Sequence, residues 1–154
     1  MVDTQVLSDP EMTARIRRAF GSERDSMEEI ASRAEQLFPD HRLIVWEGDA
    51  QTFEFAYVSE AAGDMLGYPV ERWTSEPAFW AETVVHPDDR SDAIAFCALA
   101  TGKCADHDFV YRATTADGRT VWLHDIVTVI RGNRGVASKL RGIMIDVSEE
   151  RSTS

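Results

Sequence analysis

Residues 105–147 read ADHDFVYRATTADGRTVWLHDIVTVIRGNRGVASKLRGIMIDV, and this stretch decides the fold. Three runs rich in β-branched and aromatic residues, 105–115, 119–131 and 136–147, are separated by Asp117-Gly118 and by Gly132-Asn133-Arg134-Gly135. Asp-Gly and glycine-bounded loops between such runs signal hairpins, so three long antiparallel strands close the chain. The first hairpin has two registers. A two-residue loop at 117–118 sets Trp122 opposite Ala113. A three-residue loop at 117–119 sets Leu123 there instead, and one residue of slip exchanges the faces.

Upstream, the chemistry turns helical. In His86-Pro87-Asp88-Asp89-Arg90, Pro87 suits a first helical turn and the two aspartates suit the positive end of a helix dipole. Ile94, Cys97, Ala98 and Thr101 then share one face, and Gly102 ends the run. Residues 75–85 (SEPAFWAETVV) carry Phe79 and Trp80 and read as a short helix and loop that plugs a core. Residues 59–66 form a short helix with Ser59 as its cap and Gly67 as its stop, and Pro69 opens another in PVERW. Residues 42–47 and 52–58 make a hairpin about Gly48-Asp49, with Phe53, Phe55 and Tyr57 on one side. Before it, Ser8-x-x-Glu11 and Ser26-x-x-Glu29 have capping-box spacing. Met12, Ile16, Ala19 and Phe20, then Met27, Ile30, Ala31, Ala34, Leu37 and Phe38, recur at helical intervals until Pro39, as one broken helix or two short ones. Helices this short need a partner surface, on the same domain or on a second chain. The order of elements is α+β: a five-stranded antiparallel sheet with short helices on one face and an N-terminal helical extension. The expected division is residues 1–40 as extension, 41–151 as the domain and 152–154 as a polar tail.

The 154 residues hold 16 basic and 27 acidic side chains, a net charge of −11, which argues against nucleic acid and anionic membranes as partners. No apolar run approaches the length of a membrane span, and the N-terminus lacks a signal-peptide pattern. Cys97 and Cys104 are too few for a disulfide scaffold, which fits a reducing, cytoplasmic setting. No nucleophile–base set or phosphate loop surrounds the Ser, His and Asp residues, so no enzymatic activity is expected. His41, His86, His107 and His124 lack metal-ligand spacing; His107 and His124 could meet across a hairpin, yet two histidines make no site. His86 reads either as a loop residue fixing a helix start or as a pH sensor.

These words in this order resemble a PAS domain of the Trp-containing kind found in bacterial sensor proteins. The matching pieces are Tyr57-Val58-Ser59, Leu66-Gly67-Tyr68, Val85-His86-Pro87-Asp88-Asp89-Arg90, Tyr111-Arg112, Asp117-Gly118 with Trp122, Gly142, and Asp146-Val147-Ser148-Glu149-Glu150-Arg151. The resemblance covers about residues 42–151. It implies a sensory or docking module that holds a small molecule between sheet and helices, or holds nothing and dimerises. It also implies an output domain, such as that of a histidine kinase, in cis or in trans, with Asp146 and Ser148 at the relay point. Either residue could equally be a plain helix cap.

The resemblance also allows two cofactor classes to be tested. The flavin-binding light-oxygen-voltage branch carries a reactive cysteine where this chain has Thr74–Trp80 (TSEPAFW), and Asn or Gln where it has Ala113, Leu123 and Met144. A photoadduct is therefore not expected. The haem branch takes a histidine from the long helix, and residues 91–101 offer only Cys97, so haem is not expected and no cofactor is assigned. The resemblance favours the three-residue loop. His107, Phe109, Tyr111, Ala113, Leu123, Asp125 and Val127 then face inward, and Trp122, His124, Ile126, Thr128 and Ile130 outward. The candidate pocket is Phe55, Tyr57, Leu66, Trp80, Tyr111, Ala113, Leu123, Asp125 and Met144, although the same aromatics serve as ordinary core. The outward Trp122, Ile126 and Ile130 are too apolar to stay wet, so Ile30 and Leu37 of the extension are expected to cover them, in cis or from a partner in a homodimer.

Overall fold

The hydrophobic pattern resolves into two packed interfaces, one on each side of a single sheet. The structure, a computed structural model, describes residues 10–149. The Ser8 capping box, Glu150-Arg151 and the 152–154 tail involve residues outside that range, as does the start of the extension. The elements are α1 (Pro10–Phe20), α2 (Met27–Leu37), β1 (Leu43–Asp49), β2 (Phe55–Val58), α3 (Ala61–Leu66), α4 (Glu71–Ser75), a single π-type turn at Trp80–Val84, α5 (Arg90–Gly102), β3 (His107–Thr114), β4 (Thr120–Arg131) and β5 (Ala137–Asp146). The five strands are antiparallel and lie in the order β2-β1-β5-β4-β3.

The extension is two helices. Gly21 ends the first with φ +59°, and the Ser26 hydroxyl caps the second by accepting from the Glu29 N–H at 3.1 Å. Both cover the outer sheet face in cis. Ile16, Phe20, Ile30 and Ala34 pack with Val45, Ile126, Ile143 and Ile145, and Leu37 is half-buried against them. Of the expected docking residues, Ile30, Leu37 and Ile126 meet there; Trp122 and Ile130 are only half-buried and stand outside this packing. The Trp122 ring instead faces the Arg112 guanidinium, 5.7 Å from its centroid. The outer face also carries an ion pair, Arg141–Glu47 at 2.9 Å, and a hydrogen bond between the His124 ring and Asp108 at 2.8 Å.

Three local readings are corrected. The β3–β4 loop spans 116–118, one residue earlier than read: the Thr115 N–H donates to the Arg119 carbonyl at 2.8 Å, and Gly118 adopts φ +88°. Ala113 therefore pairs with Val121 and Tyr111 with Leu123. The offset is two residues, so every side chain keeps the face assigned to it. Opposite Glu47 and Gly48 of β1, β2 carries one extra residue, Ala56, so that Glu47 faces Tyr57 but Gly48 faces Phe55. The extra residue turns Tyr57 to the outer face, against the N-terminal helices, while Phe55 stays inside. Ser59 does not cap α3; its hydroxyl accepts from the Val45 N–H at 2.9 Å and ties β1 to the chain leaving β2.

Candidate functional site

The inner face of the sheet and the segment from α4 to α5 enclose a cavity of about 260 Å³. This lies just under the roughly 300–1,000 Å³ of drug-sized pockets, and suits a small molecule better than a multi-ring cofactor. Its walls are largely aromatic: Trp46 and Phe55 from the first hairpin, Trp73, Phe79 and Trp80 from the helical side, and Phe109 from β3. Neighbouring rings meet at 5.1 Å (Trp46–Phe55), 5.4 Å (Phe55–Trp73) and 5.4 Å (Trp73–Phe79), tilted or edge to face as ring quadrupoles favour. Two residues in the lining, Phe53 and Ala78, hold left-handed backbones with φ +61° and +57°. Such positions cost about 1 kcal/mol each and concentrate where a fold shapes a binding site.

A chain of hydrogen bonds crosses this wall. The Trp80 indole donates to the Tyr111 hydroxyl at 2.9 Å. That hydroxyl donates to Asp125 Oδ2 at 2.9 Å. The Trp46 indole donates to Asp125 Oδ1 at 3.0 Å. Asp125 is 1% exposed. Burial pushes its carboxyl up to about 7, and the bonds from Tyr111 and Trp46 oppose that rise. Burial, with the nearby Asp125 charge, also raises the Tyr111 hydroxyl well above its ordinary value and the Cys97 thiol to about 12. The Trp46 indole reaches Asp125 because its cross-strand partner on β5 is Gly142. A Cβ there would lie 2.2 Å from Trp46 Cε2.

Of the residues the sequence nominated, Phe55, Trp80 and Asp125 line the cavity. Tyr111 stands behind them in the hydrogen-bond chain. Leu66, Ala113, Leu123 and Met144 are fully buried on the inner face but belong to its packed core rather than to the cavity. Tyr57 lies on the opposite face. The sequence reading missed Trp46 and Trp73. A glycine opposite a tryptophan was the available signal for Trp46, but it is visible only once β1 and β5 are paired. The Trp73 indole N–H is buried and has no hydrogen-bond partner among the described residues.

At the chain exit, the Ser148 N–H donates to Asp146 Oδ1 and the Ser148 hydroxyl accepts from the Trp122 N–H, each at 2.9 Å. Trp122 lies beside Arg112, and Arg112 donates to Asp89 at the head of α5 from its backbone N–H at 2.8 Å and from Nη2 at 2.7 Å. Burial raises the Asp89 carboxyl, but the Arg112 side chain and N–H outweigh it and hold it well below the carboxylate range. His86 accepts from the Asp88 N–H at 3.1 Å just before α5. His107 faces inward and His124 outward, so the two do not approach. No group of three or more His, Cys, Asp or Glu among the described residues is placed to hold a metal.

The residues fit a photoreactive flavin poorly: the wall between Thr74 and Ala81 has no cysteine, and Cys97, the one cysteine in the lining, stands on α5 instead.

The family model described as the PAS fold matches residues 55–144. The N-terminal domain of a diguanylate cyclase with PAS/PAC sensor from Marinobacter aquaeolei is 35% identical, with TM-score 0.66, over 71% of this chain and 98% of that one. A sensory box histidine kinase/response regulator from Burkholderia thailandensis is 19% identical, with TM-score 0.62, over 79% of this chain and 88% of that one. The blue-light photoreceptor Aureochrome1 LOV domain is 20% identical, with TM-score 0.60, over 77% of this chain and 91% of that one. No curated protein matches the chain. With more than half of its length matched by the family model, and a relative above 30% identity covered almost entirely, the chain belongs to the PAS fold family.

Proposed function

We propose that this chain is a non-catalytic sensory module that binds a small molecule in the aromatic cavity and relays occupancy through its ends. The observation that carries this reading is the buried carboxylate of Asp125 in the wall of a hollow site, bonded through Tyr111 to Trp80 on the helical side. A guest that displaces Trp80 or competes for Asp125 alters a bonded path joining helices to sheet. The contacts from Asp89 through Arg112 and Trp122 to Ser148 offer a route from α5 to the chain exit. The Marinobacter and Burkholderia relatives, named as a cyclase sensor and a sensory kinase, support an output partner in cis or in trans. Among the described residues no helix is long and apolar enough to cross a membrane, and the reading places the module in the cytoplasm.

Native mass spectrometry of the freshly purified full chain tests this. A bound small molecule is expected, and it should be lost on unfolding. An unliganded chain that accepts no member of a metabolite library overturns the reading. The ring-to-ring contacts around the cavity favour the alternative, a docking or homodimerisation domain with a self-supporting core. Light scattering on the full chain reads its oligomeric state.

A further inference from the structure

Every other buried carboxylate among the described residues than Asp125 has a basic side chain beside it. Asp89 is bonded to Arg112, and Asp108 lies 2.8 Å from the His124 ring. The half-buried Glu47 pairs with Arg141. Asp125 is as deeply buried as any of them, yet the groups that bond it are a neutral phenol and a neutral indole. Ionised groups inside proteins are ordinarily paired, because leaving water without a countercharge is costly. Asp125 has room for one: each oxygen accepts a single described hydrogen bond, and a carboxylate offers about four acceptor sites.

The rest of the cavity has matching chemistry. Its charged lining residues are Asp49, Glu54, Glu76 and Asp125, and no lysine, arginine or histidine is among them. Three tryptophans and four phenylalanines make up much of the wall, and aromatic faces attract organic cations. Exposed Phe53 and Ile94 also belong to the lining, which suits a guest with a hydrocarbon frame.

We propose that the cavity selects a small organic cation, an alkyl- or arylalkylammonium whose charge pairs with Asp125 and whose carbon frame lies among the tryptophan and phenylalanine rings. This rests on the small-molecule reading above and adds the sign of the ligand's charge. Pairing with the guest favours the ionised carboxyl over the protonated form that burial favours, and Asp49 and Glu54 concentrate the cation at the entrance, Glu76 being paired with Arg72.

Calorimetric titration of the full chain with matched pairs tests the charge alone. Choline is compared with its neutral isostere 3,3-dimethylbutan-1-ol, and phenethylammonium with 2-phenylethanol. Each ammonium is expected to bind at least tenfold more tightly than its neutral partner, and Asp125→Asn is expected to bring the two to parity. The wild-type comparison decides the matter even if that variant folds poorly. Equal or tighter binding of the neutral partners overturns the cation assignment and leaves the small-molecule reading standing. Failure of both members of both pairs at millimolar concentration also overturns it, and the small-molecule reading is then judged separately by native mass spectrometry.

Discussion

Asp125 is the residue at which stability and binding meet. Its carboxyl sits near 7 in the folded chain, against 3.8 for an ordinary aspartate. Between those values the folded state keeps a proton that the unfolded state has released. Stability from this group is therefore fully present below about pH 4 and is lost as the pH rises through 7. The loss runs at roughly 1.4 kcal/mol per pH unit within that window. Asp125→Asn removes the titration, so urea unfolding should show the variant gaining on the wild type from pH 4 to 7 and the difference flattening above. A constant difference across the range would disprove the assignment. Gly142 makes the second argument at this scale. A methyl group at 142 would drive into a buried indole that has little freedom to move, so Gly142→Ala should cost about 2 kcal/mol or more. Trp46→Ala removes the atoms that collide. The double variant should therefore be more stable than the sum of the single losses allows, a coupling read by chemical unfolding.

Elements are joined here by few but strong polar ties. Asp89 stands at the head of α5 yet bonds across to β3 through Arg112. Breaking one side of a buried pair commonly costs about 3–5 kcal/mol, and Arg112 is partly exposed, so Asp89→Asn should cost about 2–3 kcal/mol at neutral pH. Because the folded carboxyl lies below its unfolded value, this contribution is present above about pH 4 and fades as the pH falls further. The wild-type advantage over Asp89→Asn should therefore shrink under acid unfolding below pH 4. The loop at 116–118 and the irregularity in β2 show the opposite kind of control. A shift of two residues in the first hairpin leaves every face unchanged, whereas one extra residue in β2 moves Tyr57 to the other side of the sheet.

Across the whole molecule, one sheet serves two cores. The inner core closes around the cavity, and α1 and α2 close the outer one. Removing residues 1–38 would expose Val45, Ile126, Ile143 and Ile145 together, an apolar patch that a monomer rarely leaves in water. The truncated chain should melt at a lower temperature, bind a hydrophobic dye and self-associate, as seen by calorimetry, fluorescence and light scattering. A truncation that stays soluble, equally stable and in the same oligomeric state would show the extension to be dispensable.

Alternation and glycine-bearing turns marked out the five β-rich runs and the helical character of the N-terminal stretch, because strand period and turn chemistry are local properties. They left two registers open between β3 and β4, and it was the family resemblance that put Asp125 among apolar neighbours on the inward face. Only the tertiary structure decided which inward residues line a hollow and which fill a core. Leu66, Ala113, Leu123 and Met144 differ from Phe55, Trp80 and Asp125 in what stands opposite them, not in their own pattern. Trp46 depends on Gly142, 96 positions away, and on Asp125, 79 away, and such contacts exist only after strands distant in sequence have paired.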